Sequence, residues 1–304
     1  MSADGRRLVA LDIDGTILGH DGLIPQATLE QVTRLREAGH EVMLATGRSR
    51  ADALPVHERL GLDSRFVVCA NGASVLEREA GAPDGYATAR VRTFDPSEVL
   101  RQLREGLRGA RFAVETPAGE FLYSGRFPDA SFEARGTEVS FETLLEQRVL
   151  RLVVIAPDQT VEEFMDRVDA IGLHRVSYSV GWTTWLDIAP EGVDKSVALE
   201  EVRAQLGIPR SMVVAAGDGR NDVEMLRWAG AEGASIAMWE APPEVSRVAG
   251  EIAAPFHEDG LARALARFAA PPETEGTGHV GRGESEGSPA RIPPSAYSGR
   301  RAVE

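Results

Sequence analysis

Four short stretches of this 304-residue chain carry residue types that do chemistry, and each stands where apolar sequence gives way to polar sequence. The first is Asp12-Ile13-Asp14-Gly15-Thr16, directly after the apolar run Leu8 to Leu11. Strand alternation points both carboxylates the same way and turns Ile13 to the core. A polar turn is the plain reading and a cation-binding loop the sharper one. A calcium loop fails, because its sixth and twelfth positions would be Ile17 and Leu23, where glycine and glutamate are wanted. The second stretch, Thr46-Gly47-Arg48, offers a hydroxyl and backbone amides just ahead of a helical pattern, an arrangement that favours an anion. Taken alone it is a weak signal, since a Thr-Gly turn capping a helix is the commoner meaning. The third is Lys195, opening a helical pattern after Pro190-Glu191-Gly192-Val193-Asp194, where a lone lysine is ordinarily a solvated charge. The fourth is Gly217-Asp218-Gly219-Arg220-Asn221-Asp222, which also fails as a calcium loop because Arg220 occupies a ligand position.

The elements that must position these stretches follow from apolar periodicity. Short buried-strand runs end at Leu11, Ala45 and Ala70, separated by helical patterns, one with Pro25 in its first turn and Gly39 as its stop. That β-α-β-α-β order predicts a doubly wound parallel sheet. From about Pro83 to Ala189 the texture becomes strand-length runs and turns with helical patterns at Pro96 to Leu107 and Val161 to Ile171, an α+β insert. Alternation resumes with a helix at Lys195 to Leu206, a strand at Met212 to Ala216, a helix at Asp222 to Trp228 and a strand at Ser235 to Met238. The expected organisation is a core of residues 1–82 and 190–270, an insert of residues 83–189, and a tail of residues 271–304. The tail is rich in Gly, Ser, Pro and Glu, so it is expected to be disordered. Its Gly276, Gly278 and Gly281 match a dinucleotide-loop spacing without the strand and helix that would give it meaning.

Bulk properties narrow the partners. A formal charge of -14 and a pI near 5.0 argue against nucleic acid or an anionic membrane as the main partner, while a small anionic substrate stays open because a metal inverts the local field. No apolar run reaches the roughly 20 residues of a membrane helix, and Met1 to Arg7 does not read as a signal peptide, so cytoplasm is the expected location. The single Cys69 follows Phe66, Val67 and Val68 and is expected as a buried small hydrophobe in a reducing compartment. A monomer or weak homodimer is expected.

In their order, each at a strand's carboxyl end, the four stretches resemble the four motifs of the haloacid dehalogenase superfamily. The insert between the second and third, together with Asn71-Gly72-Ala73 ahead of it, resembles the Cof-type branch with a large α/β cap; the likeness covers roughly residues 7–270. The resemblance implies that Asp12 attacks phosphorus to form an aspartyl-phosphate, and that Asp14 protonates the leaving alcohol and then activates water. Asp14 must then begin protonated, which asks for an environment that raises its pKa. Ile13, Thr46, Gly47, Lys195 and Asn221 are implied to surround the phosphoryl group. The carboxylates of Asp12, Asp14, Asp218 and Asp222 would converge, and two like charges about 4 Å apart repel by ~4 kcal/mol at an effective dielectric of about 20. A divalent cation is therefore expected, and oxygen ligands without paired histidines select Mg2+. Its implied ligands are Asp12, Asp218 and the Asp14 carbonyl, with Asp222 in support. The implied substrate is a small phosphorylated metabolite.

Two alternatives stand beside this reading: a phosphomutase, which returns phosphate to a sugar, and a non-catalytic phosphate sensor, which would be expected to have lost one of the motif residues. The chain departs from the Cof pattern after Ile236-Ala237-Met238, where Trp239-Glu240 replaces Gly-Asn. Trp239 is expected to pack against the cap rather than narrow the site, and Trp182 and Trp185 are expected as core aromatics.

Overall fold

A computed structural model describes residues 5–19, 21–125, 136–173, 176–180 (backbone only) and 184–269. The order begins β1 (Leu8–Leu11), α1 (Gln26–Glu37), β2 (Glu41–Leu44), α2 (Arg50–Arg59), β3 (Phe66–Cys69), β4 (Ser74–Arg78) and β5 (Tyr86–Val91). It continues α3 (Ser97–Gly106), β6 (Arg111–Glu115), β7 (Phe121–Ser124), β8 (Gly136–Glu138), α4 (Phe141–Leu145), β9 (Arg151–Ile155), α5 (Val161–Ile171), β10 (Val176–Val180) and β11 (Trp185–Pro190). The last part is α6 (Lys195–Leu206), β12 (Val213–Gly217), α7 (Val223–Gly230), β13 (Ala234–Ala237) and β14 (Glu251–Ile252), followed by a short helix at Gly260–Leu265.

The central sheet is parallel, in the order β14-β13-β12-β1-β2, and a bridge from Ala45 to Val68 attaches β3 beside β2. Its strands are apolar on both faces, so both faces need cover. Val9 and Leu11 pack with Val32 and Leu35 of α1, Ala53 and Val56 of α2, and Leu261 and Leu265. Leu8 and Ala10 pack on the opposite side with Leu199 and Val202 of α6 and Met225 and Leu226 of α7. Leu11 is fully buried, and cutting it to alanine would destabilise by about 2–5 kcal/mol. From β1 the chain winds outward through β2 and β3; from β12 it winds the other way through β13 and β14. The strand order therefore reverses between β1 and β12, and a ligand crevice opens outside their carboxyl ends.

The inserted sheet runs β10-β11-β9-β6-β7-β8, antiparallel except for the β7–β8 pair. Alternation sends Phe112, Val114, Leu152, Val154, Leu186 and Ile188 to one face, where Leu100, Leu103, Phe164 and Val168 of α3 and α5 cover them. The other face carries Glu115, Arg151, Val153 and Asp187 by the same period. This is the α+β insert expected from the sequence.

One strand departs from the expectation set by texture. Tyr86–Val91, which a boundary at residue 83 places in the insert, pairs antiparallel with β4, which in turn pairs with β3. Its Tyr86 packs in the same cluster as Val67 and Cys69. The tail at 271–304 and Trp182 lie outside the described residues. Among the described residues, no helix is long and apolar enough to cross a membrane.

Candidate active site

Asp12 is the first residue beyond β1, and its amide donates to the carbonyl of Ala216 on β12 at 3.0 Å. Asp218 is the first residue beyond β12. The strand pairing that builds the sheet thus sets two carboxylates side by side at the crevice. A third comes from Asp222, whose Oδ2 accepts the amides of Asp218 at 3.0 Å and Gly219 at 2.9 Å. One carboxylate oxygen from each of Asp12, Asp218 and Asp222 lies within 4.8 Å of the others, and all three side chains are buried. Gly15 and Gly217 are needed here, because a Cβ on either would strike the carboxylate of Asp218 or Asp222, and Gly15 also has φ +77°.

Lys195 closes the cluster. Asp194 caps α6 by accepting the amides of Ser196 at 2.7 Å and Val197 at 3.1 Å, which fixes Lys195 in the first turn. The lysine is not a solvated charge: it is fully buried and donates from Nζ to Asp12 Oδ1 at 2.6 Å and to Asp222 Oδ1 at 2.7 Å. Burial pulls its ammonium down, but the carboxylates of Asp12 and Asp222 outweigh that and hold it above its ordinary value. Burial and then the charge of Asp222 push the Asp12 carboxyl well above the usual range, with Lys195 opposing. Burial and Asp222 likewise push Asp218 up to about 7, although the Thr16 hydroxyl, donating to Oδ1 at 3.1 Å, stabilises the ionised form.

Asp14 stands apart from this cluster. Its side chain is 62% exposed and is clasped by Arg48, Nε to Oδ2 at 2.9 Å and Nη2 to Oδ1 at 2.6 Å. The two acids of the first loop, expected to point the same way, differ sharply in environment: Asp12 is buried and Asp14 is exposed. The Asp14 side chain is likewise outside the group of carboxylates close enough to share a cation. Ile13 between them is fully buried, as alternation requires.

The hydroxyl turn lies at the carboxyl end of β2. Thr46 is buried, and its Oγ1 accepts the amide of Arg48 at 3.1 Å. Gly47 adjoins Asn71 and Asn221: a Cβ there would meet Asn71 Oδ1 at 3.1 Å and Asn221 Nδ2 at 3.4 Å. Asn221 Nδ2 donates to Asn71 Oδ1 at 2.9 Å, and Asn71 Nδ2 donates to Asp187 Oδ2 of the inserted sheet at 3.0 Å. Ala70 and Asn71 both take positive φ, 49° and 52°, a costly backbone that aims the Asn71 amide between core and insert. Beside them Arg151 of β9 donates from Nη1 to the Gly47 carbonyl at 2.6 Å and from Nε to Glu115 Oε2 at 2.7 Å. Burial raises the carboxyls of Glu115 and Asp187, and Arg151 opposes it in both.

Sequence reasoning has no signal for the roles of Arg48, Asn71, Glu115, Arg151 and Asp187, apart from the place of Asn71 and Arg48 within motifs. Trp239, expected to pack against the insert, lies in a turn and is 61% exposed. Glu240 beside it accepts the Phe256 amide at 3.0 Å. Trp185 is half buried with Tyr123 against Ala113, Val153 and Ile155, and Cys69 is fully buried, its thiol pushed up by burial.

Known proteins resemble this chain over most of its length. The 5-amino-6-(5-phospho-D-ribitylamino)uracil phosphatase YitU of Bacillus subtilis is 28% identical over 273 residues, covering 86% of this chain and 97% of that protein. The pyridoxal phosphate phosphatase YbhA of Escherichia coli is 27% identical over 278 residues, covering 84% and 96%. A solved sugar phosphatase of haloacid dehalogenase subclass IIB superposes with a TM-score of 0.72 at 21% identity, covering 86% of this chain and 98% of that one, a likeness of fold. The model of the haloacid dehalogenase-like hydrolases matches residues 9–265, and the chain belongs to that family.

Proposed function

We propose that this hydrolase is a phosphatase that removes the phosphoryl group from a small phosphorylated metabolite, with Asp12 as its nucleophile. The observation that carries the reading is the buried triad of Asp12, Lys195 and Asp222 at the strand-order reversal, with Asp218 beside it. A phosphate monoester is ringed by negative oxygens, so its hydrolysis asks for an oriented nucleophile and fixed positive charge. Lys195 supplies the charge and holds Asp12 by one oxygen.

In the proposed reaction a carboxylate oxygen of Asp12 attacks phosphorus, the ester P–O bond breaks, and the leaving oxygen takes a proton from Asp14. Asp14, again a carboxylate, then takes a proton from water as that water attacks phosphorus; the acyl phosphate bond breaks and Asp12 is regenerated. Asp14 has to accept a proton before it can give one, and that step weakens its pair with Arg48. Thr46, the Gly47 amide, Lys195 and Asn221 are proposed to hold the phosphoryl oxygens, alongside the Ile13 backbone.

The donor set fits Mg2+. Asp12, Asp218 and Asp222 offer only oxygen, and their crowding is part of what raises the first two carboxyls. Asp222 already accepts Lys195 on one oxygen and two amides on the other, which suits support rather than direct ligation. Asp12, Asp218 and the Asp14 carbonyl are the proposed ligands. The cation, when bound, would neutralise the carboxylates and polarise the phosphoryl group.

The insert, residues 83–189 by sequence texture, is proposed as the cap that shapes the substrate side. The phosphorylated ring compounds named for the two relatives support a substrate of that size. A panel of sugar, cofactor and polyol phosphates, assayed for released phosphate with Mg2+, tests the reading. Release from at least one is expected. Release from none, or transfer to a second sugar hydroxyl in its place, would overturn it.

A further inference from the structure

Arg151 reaches the catalytic loops from a different sheet. It lies on β9 of the insert, 6% exposed, yet its Nη1 ends on the carbonyl of Gly47, in the hydroxyl turn of the core. That carbonyl belongs to the same peptide group as the amide of Arg48, and the Arg48 amide donates to Thr46 Oγ1 at 3.1 Å. A peptide is a resonant plane, so drawing electron density onto its oxygen strengthens its N–H as a donor. A Thr46 oxygen that accepts from the Arg48 amide has its own hydrogen turned away from that amide, towards any acceptor in the crevice. The guanidinium is itself held in place by two carboxylates. Glu115 takes Nε at 2.7 Å, Asp187 lies 3.4 Å from Nη1, and Asp187 is in turn held by Asn71 at 3.0 Å.

We propose that Arg151 is a positioning residue for phosphoryl binding, acting through the Gly47–Arg48 peptide to fix the Thr46 hydroxyl as a donor. The inference rests on the phosphatase reading above. It gives the insert a part in the chemistry beyond contact with the leaving group, since a side chain of the insert takes the Gly47 carbonyl of the core turn.

The test uses full-length protein with Mg2+, an activated aryl phosphate for turnover and inorganic phosphate for binding. Removing Arg151 alone would strand Glu115, so Arg151→Met is combined with Glu115→Gln, and Arg151→Lys is made beside it. The double variant is expected to lose roughly tenfold in kcat and in phosphate affinity, the scale of one charge-assisted hydrogen bond, and Lys is expected to recover part of both. Thr46→Ala supplies the readout that a merely structural arginine would not move: in that background the Arg151 change should cost almost nothing further in kcat, because the group it acts on is gone. Equal losses with and without Thr46 would overturn the proposal, as would kcat and phosphate affinity within twofold of wild type in the double variant. If wild type binds phosphate in an Arg151-dependent manner but hydrolyses no ester, the positioning role stands and the phosphatase reading falls. If turnover depends on Asp12 but not on Arg151, the reverse holds.

Discussion

Lys195 and Asp222 form an ion pair at 2.7 Å in which neither side chain has exposed surface. The same ammonium binds Asp12 at 2.6 Å, so one positive charge serves two buried carboxylates. Removing one partner of a buried pair leaves a charge without compensation and typically costs about 3–5 kcal/mol. Lys195→Met should therefore lower the unfolding free energy by about that amount and abolish turnover. Denaturant titration reads the first effect, and a loss below about 1 kcal/mol would show that the carboxylates shed their charge or find other partners.

The acid cluster makes cation dependence a second expectation. Chelation should abolish activity and Mg2+ restore it, with Asp218→Asn weakening the response. Because the Asp218 carboxyl is pushed up to about 7, protons compete with the cation, and Mg2+ affinity should tighten as pH rises from about 6 to 8. Calorimetric titration across that range checks the direction; full activity after dialysis against excess chelator contradicts the metal assignment.

His57 gives a pH expectation away from the site. Its ring is buried between the Ser64 hydroxyl and the Tyr86 hydroxyl, each 3.0 Å from Nε2, and burial lowers its pKa to about 4. The unfolded chain, with an ordinary histidine near 6.5, binds the proton more readily, so the stabilisation is full above about pH 6.5 and is lost as pH falls towards 4. By pH 5 about 2 kcal/mol should be gone. Comparing unfolding free energies at pH 7.5 and 5 in wild type and His57→Gln measures it, and an unchanged slope in the variant would assign the effect elsewhere.

What is legible in the sequence is what short-range physics writes there. Apolar runs ending at Leu11, Ala45 and Ala216 give parallel strands, and the chemistry falls at their carboxyl ends because an open sheet binds ligands there. The helix at Lys195–Leu206 can be bounded from its Asp194 cap and Gly207 stop alone. The remainder depends on long-range contact. Arg151 and Gly47 are 104 residues apart and Asn71 and Asp187 are 116 apart, and no local pattern marks either pair. The split between buried Asp12 and exposed Asp14 is equally hidden, because alternation gives direction and not what lies in that direction. Tyr86–Val91 reads as part of the insert because a short exposed strand has the same texture whichever sheet it joins.

The central claim is that Asp12 carries the phosphoryl group while Asp14 moves the protons, and brief exposure of an Asp14→Asn variant to an activated phosphate ester tests it most directly. An activated leaving group needs no proton, so the first step should survive, whereas water attack loses its base and slows by ~10²- to 10⁴-fold. Mass spectrometry of the quenched protein should show one added phosphoryl group on the peptide containing Asp12, and Asp12→Asn should show neither adduct nor turnover. An adduct mapping to Asp218 or another residue, or near wild-type turnover by Asp12→Asn, would contradict the account.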